Sequence, residues 1–210
     1  MTTRFIVVRH GETEWNVASR IQGQGDSELT ANGIAQAEAI ARRLAGEEFD
    51  VLVSSDLGRA LATARRIAER CGRSIVIDAR LRERHFGVGE GLSYDQVGRD
   101  FPDAFSRARE TDPDFAIPGG ESRRAFHARV TGAFEALARE HAGRRVAVVT
   151  HGGVLATLYR FVHGIPVAMP HKVAITNATY NALSVLGSKW TVESWDDSDH
   201  LADTEPFDEA

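Results

Sequence analysis

Phe5-Ile6-Val7-Val8 runs directly into Arg9-His10-Gly11-Glu12, and Val146-Ala147-Val148-Val149 runs, after Thr150, into His151-Gly152-Gly153. Each apolar run is short and rich in β-branched residues, which reads as a strand buried on both faces. A third such run, Val51-Leu52-Val53, is followed by Ser54, Ser55 and Asp56. These offer N-cap chemistry for a helix over about 57–71, with Arg59 in its first turn. In an open parallel sheet, ligands bind in the crevice beyond the carboxyl ends of the strands. All three segments are therefore predicted to deliver polar residues to one edge: Arg9, His10, Arg59 and His151. Which strands are neighbours is not written in the sequence.

Outward from these segments, Thr30 caps a helix in which Ile34, Ala37, Ile40, Ala41 and Leu44 share one face. Residues 75–77 read as a further strand. Residues from about 80 to 120 lose clear periodicity and hold Gly87, Gly89, Gly91, Pro102, Pro113 and Pro118; they read as an excursion or lid. Helices are expected over about 122–141 and 154–162, and late strands over 182–186 and 191–195. This alternation predicts an α/β fold with a mainly parallel sheet covered on both faces. A single domain spanning 1–210 is expected. Its last fifteen residues, 196–210, hold seven acids and no Lys or Arg, which reads as a solvated acidic tail.

With 42% apolar and 26% charged residues, the composition is that of a soluble globular chain. The net charge of −5 does not suit tracking a nucleic-acid backbone, so an anion must be met by a local cluster of cations. The lone Cys71 excludes an intramolecular disulfide and the paired-cysteine zinc spacings. The apolar run before Arg9 is too short for a signal-peptide core, and nothing approaches a membrane span. A cytoplasmic protein without membrane or nucleic-acid partners is expected, with a homodimer left open.

Two arginines and two histidines, with glycine beside each histidine, complement an anion of charge near −2. Glycine lets a ligand approach the backbone and frees N–H groups, and arginine matches phosphate oxygens with a planar fork of donors. Zinc is the competing reading, since His10, His151, Glu83 and His85 are of ligand type. The chain lacks HExxH and HxH spacings, however, and the neighbouring guanidiniums would repel a cation. Glu83, between Arg82 and Arg84, is by itself an ordinary paired acid.

Arg9-His10-Gly11-Glu12-Thr13, with Trp15-Asn16, resembles the signature of the histidine phosphatase superfamily, which includes the cofactor-dependent phosphoglycerate mutases. The resemblance continues in order through Leu29-Thr30, Gly33 and Gln36-Ala37. It runs on through Ser54-Ser55-Asp56-Leu57, Arg59-Ala60 and Thr63-Ala64, then Leu81-Arg82-Glu83, Phe86-Gly87 and Glu90-Gly91. Pro118-Gly119-Gly120-Glu121-Ser122 and Val149-Thr150-His151-Gly152-Gly153 complete it. The resemblance implies a three-layer α/β/α sandwich with a small lid insertion. It implies His10 as a nucleophile that becomes phosphorylated, with Arg9, Arg59 and a protonated His151 neutralising the transferring group. It also implies Glu83 as general acid and then base, Asn16 and the Gly152 backbone as hydrogen-bonding groups, and Gln22 and Gly23 along the substrate side. No metal or other cofactor is called for.

The expected reaction is hydrolysis of a small phosphorylated metabolite through a phosphohistidine. The alternative is a mutase primed by 2,3-bisphosphoglycerate, and a third reading is a phospho-ligand binding module without catalysis. The mutases carry a lysine after the Glu-Gly-Leu-type run, where this chain has Tyr94. They also carry a paired arginine in a longer lid, where this chain has Arg107 and Arg109 apart. Both departures favour hydrolysis. His85 stands two residues after Glu83, similar to its placement in metal-independent phosphoserine phosphatases, and would meet a substrate carboxylate, with Phe86 walling the pocket. Phosphoserine, phosphoglycerate-type acids, sugar phosphates and α-ribazole phosphate remain candidate substrates.

Overall fold

The computed structural model describes residues 1–103, 112–170, 172–202 and 204. The strands are β1 (Thr2–Arg9), β2 (Val51–Ser54), β3 (Ile75–Ile77), β4 (Arg145–Thr150), β5 (Tyr180–Leu186) and β6 (Lys189–Asp197). They form one six-stranded sheet in the order β3-β2-β4-β1-β5-β6. The β2–β3, β2–β4 and β1–β4 ladders are parallel, whereas β5 runs antiparallel to both β1 and β6. The sheet is thus mixed, with β5 alone reversed; residues 187–188 turn it back into β6 as a hairpin. The sheet is mainly parallel, as the alternation predicts, apart from that reversal.

The helices are α1 (Glu14–Val17), α2 (Ala31–Ala45), α3 (Gly58–Cys71), α4 (Tyr94–Asp100), α5 (Arg123–Glu140) and α6 (Gly152–His163). Side chains alternate across a strand, and β1 uses both faces. Phe5 and Val7 pack with Val146 and Val148 under α5 and α6, against Phe126, Phe134, Leu155 and Leu158. Ile6 and Val8 pack with Leu52, Ala147 and Val149 under α2 and α3, against Ile40, Leu44, Ala64 and Ile67. Phe5 meets Phe134 edge-on and stacks on Trp190, with ring centroids 5.5 Å apart in each pair. Burial on two faces explains why β1 is an uninterrupted apolar run and gives a three-layer α/β/α arrangement.

Two segments carry more structure than their composition suggests. The stretch read as an excursion holds 3-10 turns at Ala79–Leu81 and Gly87–Gly89, and α4. Ser93 and Gln96 form a capping box at the start of α4, a local signal hidden by the surrounding glycines. The start of the acidic tail is docked: Asp197 takes a two-pronged contact from Arg43, at 2.7 and 2.6 Å. Asp196 accepts from the Thr176 N–H at 2.8 Å. Arg107, Arg109 and the tail at 203 and 205–210 lie outside the described residues. No helix among the described residues is long and apolar enough to cross a membrane.

α2 fixes the turn that follows β1. Thr30 accepts from the Gly33 N–H, and the Glu12 carbonyl accepts from the Thr30 N–H. A Cβ on Gly33 would run into the backbone of Glu12. Replacing glycine by alanine inside a helix ordinarily gains about 1 kcal/mol. Here the clash reverses the sign, and Gly33→Ala is expected to destabilise by about 1–3 kcal/mol, the usual cost of overpacking. Thermal unfolding checks this: a lowered Tm is expected, and an unchanged or raised Tm would contradict the close approach.

Candidate active site

β1 and β4 are adjacent and in register, Arg9 opposite Thr150. The residues that follow, His10 and His151, therefore leave the ladder together, and their ring centroids lie 5.3 Å apart. His10 Nδ1 lies 2.8 Å from the Gly11 carbonyl oxygen. A carbonyl only accepts, so Nδ1 carries the proton and Nε2 carries the lone pair. Arg59 Nε donates to that Nε2 at 3.2 Å, which agrees with the assignment. Burial, and then the charges of Arg59 and Arg9, hold His10 well below the usual 6.5. The ring is neutral.

Arg59 comes from the first turn of α3 and is almost entirely buried. Its Nη1 donates to the Gly25 carbonyl at 2.7 Å and to Asp26 at 3.2 Å, and its Nη2 to the Gly23 carbonyl at 2.7 Å. Arg9 Nη1 donates to the Ile175 carbonyl at 2.6 Å. Both guanidiniums are thus anchored by backbone carbonyls, and Arg59 by the Asp26 carboxylate as well.

His151 departs from expectation. Burial and the neighbouring Arg59, His10 and Arg9 push it well below 6.5, so without an anion present it is neutral rather than protonated. Its Nε2 lies 2.8 Å from Ser55 Oγ, which itself accepts from the Leu57 N–H. With the serine hydrogen donated to Nε2, the proton of His151 sits on Nδ1. That Nδ1 is buried and has no hydrogen-bond partner among the described residues. A buried donor without a partner is costly, and an oxyanion would satisfy it.

Glu83 approaches from the other side. Its Oε2 accepts from the Gly153 N–H at 2.7 Å and its Oε1 from the Arg84 N–H at 2.6 Å. A side chain at Gly153 would collide with that carboxyl. Burial raises Glu83 above the usual 4.5, against the opposing pull of those N–H groups and of Arg59 and Arg9.

These groups open on a cavity of about 630 Å³, within the range of small-molecule sites. Of the residues singled out from sequence, Arg9, His10, Gln22, Gly23, Arg59, Glu83, Phe86 and Gly152 line it. Three do not. His151 lies beneath, beside His10. Asn16 turns its side-chain oxygen to the Thr13 backbone, capping α1. His85 Nε2 lies 3.7 Å from Glu90, and His85 is not among the residues that line the cavity. Arg20, Ile21, Ala156, Val173 and Ile175 also line the cavity and were missed, and Tyr94, singled out only by comparison with the mutases, lines it too. Adjacency to Gln22 points to Arg20 and Ile21; nothing in the irregular stretch before β5 singles out Val173 or Ile175. Glu90, noted only within a motif, accepts from the N–H groups of Gln24, Gly25 and Phe86 at 2.8–2.9 Å. It thereby ties the two loops that wall the cavity.

The profile of the histidine phosphatase superfamily (branch 1) matches residues 5–198. The chain belongs to this superfamily. It is 43% identical over 203 residues to a metal-independent phosphoserine phosphatase of Arabidopsis thaliana, covering 95% of this chain and 84% of that one. It is 41% identical over 205 residues to phosphoglycerate mutase-like protein 4 of the same plant, covering 95% and 87%. The solved structure of a mycobacterial glucosyl-3-phosphoglycerate phosphatase superposes with a TM-score of 0.79 at 36% identity, covering 94% of this chain and 100% of that one.

The two buried neutral histidines make stability pH-dependent. Their folded-state values lie below the usual 6.5 of the unfolded chain, so on acidification the unfolded state takes up protons first. Stability is then fully present above pH 6.5 and falls below it, by up to about 1.4 kcal/mol per histidine per pH unit. Glu83, raised above 4.5, has the opposite sign and offsets part of the loss as pH approaches that value. Denaturant melts between pH 7.5 and 5 should show the loss, and His151→Gln should flatten it. A flat wild-type profile would contradict two neutral buried rings.

Proposed function

We propose that the chain is a metal-independent phosphomonoesterase that moves the phosphoryl group of a small metabolite onto His10 Nε2 and then onto water. The observation that carries this reading is the His10 tautomer: a lone pair on Nε2, a proton held on Nδ1 by the Gly11 carbonyl, and a ring kept neutral among cations. Phosphoryl transfer asks for in-line positioning and charge stabilisation rather than covalent work by many groups. Substrate phosphate displaces the Arg59 Nε contact from His10. Arg9, Arg59 and the Nδ1–H of His151 then meet its oxygens. Nε2 forms the bond to phosphorus as the ester P–O bond breaks, and protonated Glu83 hands its proton to the leaving oxygen. The same carboxylate next takes a proton from water, whose oxygen attacks the phosphohistidine. Phosphate leaves, and both His10 and Glu83 are restored.

Hydrolysis is favoured over isomerisation by the cavity wall. A mutase must grip a second phosphate and a carboxylate. Among the described residues, Arg20 is the one further cation in the lining beyond Arg9 and Arg59, and Tyr94 stands at the wall where the resembling mutases place lysine.

His10→Ala is expected to abolish turnover, and wild-type enzyme should carry an acid-labile phosphate on His10 after brief exposure to substrate, read by mass spectrometry. Turnover by the alanine variant would contradict covalent catalysis. Glu83→Gln should lose about 10²–10⁴ in kcat with KM nearly unchanged, the usual size of general-acid help. Release of inorganic phosphate from small esters should exceed isomerisation of 3-phosphoglycerate primed by 2,3-bisphosphoglycerate. The reverse ranking would establish the mutase instead.

A further inference from the structure

Glu83 lies in neither a strand nor a helix, yet a general acid must stand within a hydrogen bond of the atom it protonates. Something must fix residues 80–83. The structure supplies Arg129, in the second turn of α5. Its Nη1 donates to the carbonyls of Arg80 and Arg82, at 2.8 and 2.9 Å, and its Nη2 to the carbonyl of Glu83 at 3.2 Å. The remaining donors form a fork on Glu121, Nε to Oε1 at 3.0 Å and Nη2 to Oε2 at 2.7 Å. These contacts use all five N–H groups of the guanidinium.

Glu121 is tied back to the same segment. Its N–H donates to the His85 carbonyl at 2.8 Å, and its carbonyl accepts from Arg84 Nε at 2.8 Å. The Arg129–Glu121 pair thus holds the carbonyls of residues 80, 82 and 83 from α5, beside the Thr150 hydroxyl on the Leu81 carbonyl and the Arg82 fork on Asp56. The Glu83 carboxyl is held from the other side by Gly153 at the start of α6. Lysine cannot reproduce this arrangement, since a lone ammonium has three donors and no planar fork. Arg129 is also near enough to help keep His151 neutral.

We propose that Arg129, paired with Glu121, is a positioning residue for the proton donor: it sets where the Glu83 carboxyl stands relative to the leaving oxygen. This rests on the reading of Glu83 as general acid. A misplacement of about 1 Å at a reacting centre costs on the order of 10²-fold. The loss must fall on substrates that need the proton. An alkyl phosphate leaves as a strongly basic alkoxide and needs it; a nitrophenyl phosphate leaves as a weakly basic phenolate and hardly does.

The test uses the full chain with Arg129→Lys, Glu83→Gln and the double variant, each assayed on an alkyl phosphate and on p-nitrophenyl phosphate. Arg129→Lys is expected to lower kcat/KM, which reports phosphoryl transfer onto His10 and not the later hydrolysis common to both esters, by about 30-fold on the alkyl ester and by less than about 3-fold on the aryl ester. Added to Glu83→Gln, it should cost nothing further on the alkyl ester, because residues acting as one unit are not additive. Equal losses on both esters, or losses that multiply in the double variant, would overturn the proposal and leave Arg129 a structural residue. Wild-type alkyl-ester turnover by Glu83→Gln alone would instead overturn the donor assignment beneath it. If Arg129→Lys does not fold, Glu121→Gln, which leaves the three carbonyl contacts in place, must show the same ester selectivity at smaller size. Its absence would count equally against the proposal.

Discussion

An imidazole attacks phosphorus only while it is uncharged, and His10 is kept uncharged by burial beside two guanidiniums. The same charges that suppress its protonation are those a phosphate dianion requires. The hydrogen bond from Nδ1 to the Gly11 carbonyl decides which nitrogen bears the lone pair. Arg59 Nε, donating to Nε2, selects the same tautomer from the other side of the ring. Burial of so much positive charge is offset by backbone: the carbonyls of Gly23, Gly25 and Ile175 and the carboxylate of Asp26 hold the two arginines. Charges fixed in this way need no reorganisation at the moment of reaction.

The sheet makes that arrangement rigid. β1 and β4 lie side by side in the sheet centre, so both histidines emerge from strands buried on both faces. The reversed strand β5 completes the clamp, because the chain entering it crosses behind His10. Asn177 Nδ2 donates to the His10 carbonyl at 2.9 Å, and the Ala178 N–H donates to the Arg9 carbonyl at 3.0 Å. Glu83 is brought from a less regular region, and Arg129 and Glu90 restore there the order that a strand would otherwise supply.

Much of this was legible in the residues. The alternation of Phe5 and Val7 against Ile6 and Val8 encodes two-sided burial, and the Arg-His-Gly and His-Gly-Gly runs mark strand ends aimed at one edge. Pairing of β1 with β4 was not legible, because strands from opposite ends of a chain leave no periodicity that names their neighbour. His85 reads as a substrate contact from its distance to Glu83 along the chain, but sequence spacing in an irregular stretch does not fix direction, and here the ring lies 3.7 Å from Glu90. His151 reads as a cation from its company of anion-binding groups; with no anion in the site, burial holds it below its usual value. Val173 and Ile175 come from an irregular stretch where no local rule applies. Ser93 and Gln96 did carry a cap signal for α4, masked by the surrounding glycines.

The account stands on a nucleophilic Nε2 facing an oxyanion held by Arg9, Arg59 and His151. A crystal structure with orthovanadate tests it most directly, since vanadate adopts the five-coordinate geometry of an in-line displacement. Vanadium bonded to His10 Nε2, with equatorial oxygens on both guanidiniums and on His151 Nδ1 and the Glu83 carboxyl at the apical oxygen opposite, is the expected result. Vanadate bound elsewhere, with the imidazole still capped by Arg59 Nε, would contradict it.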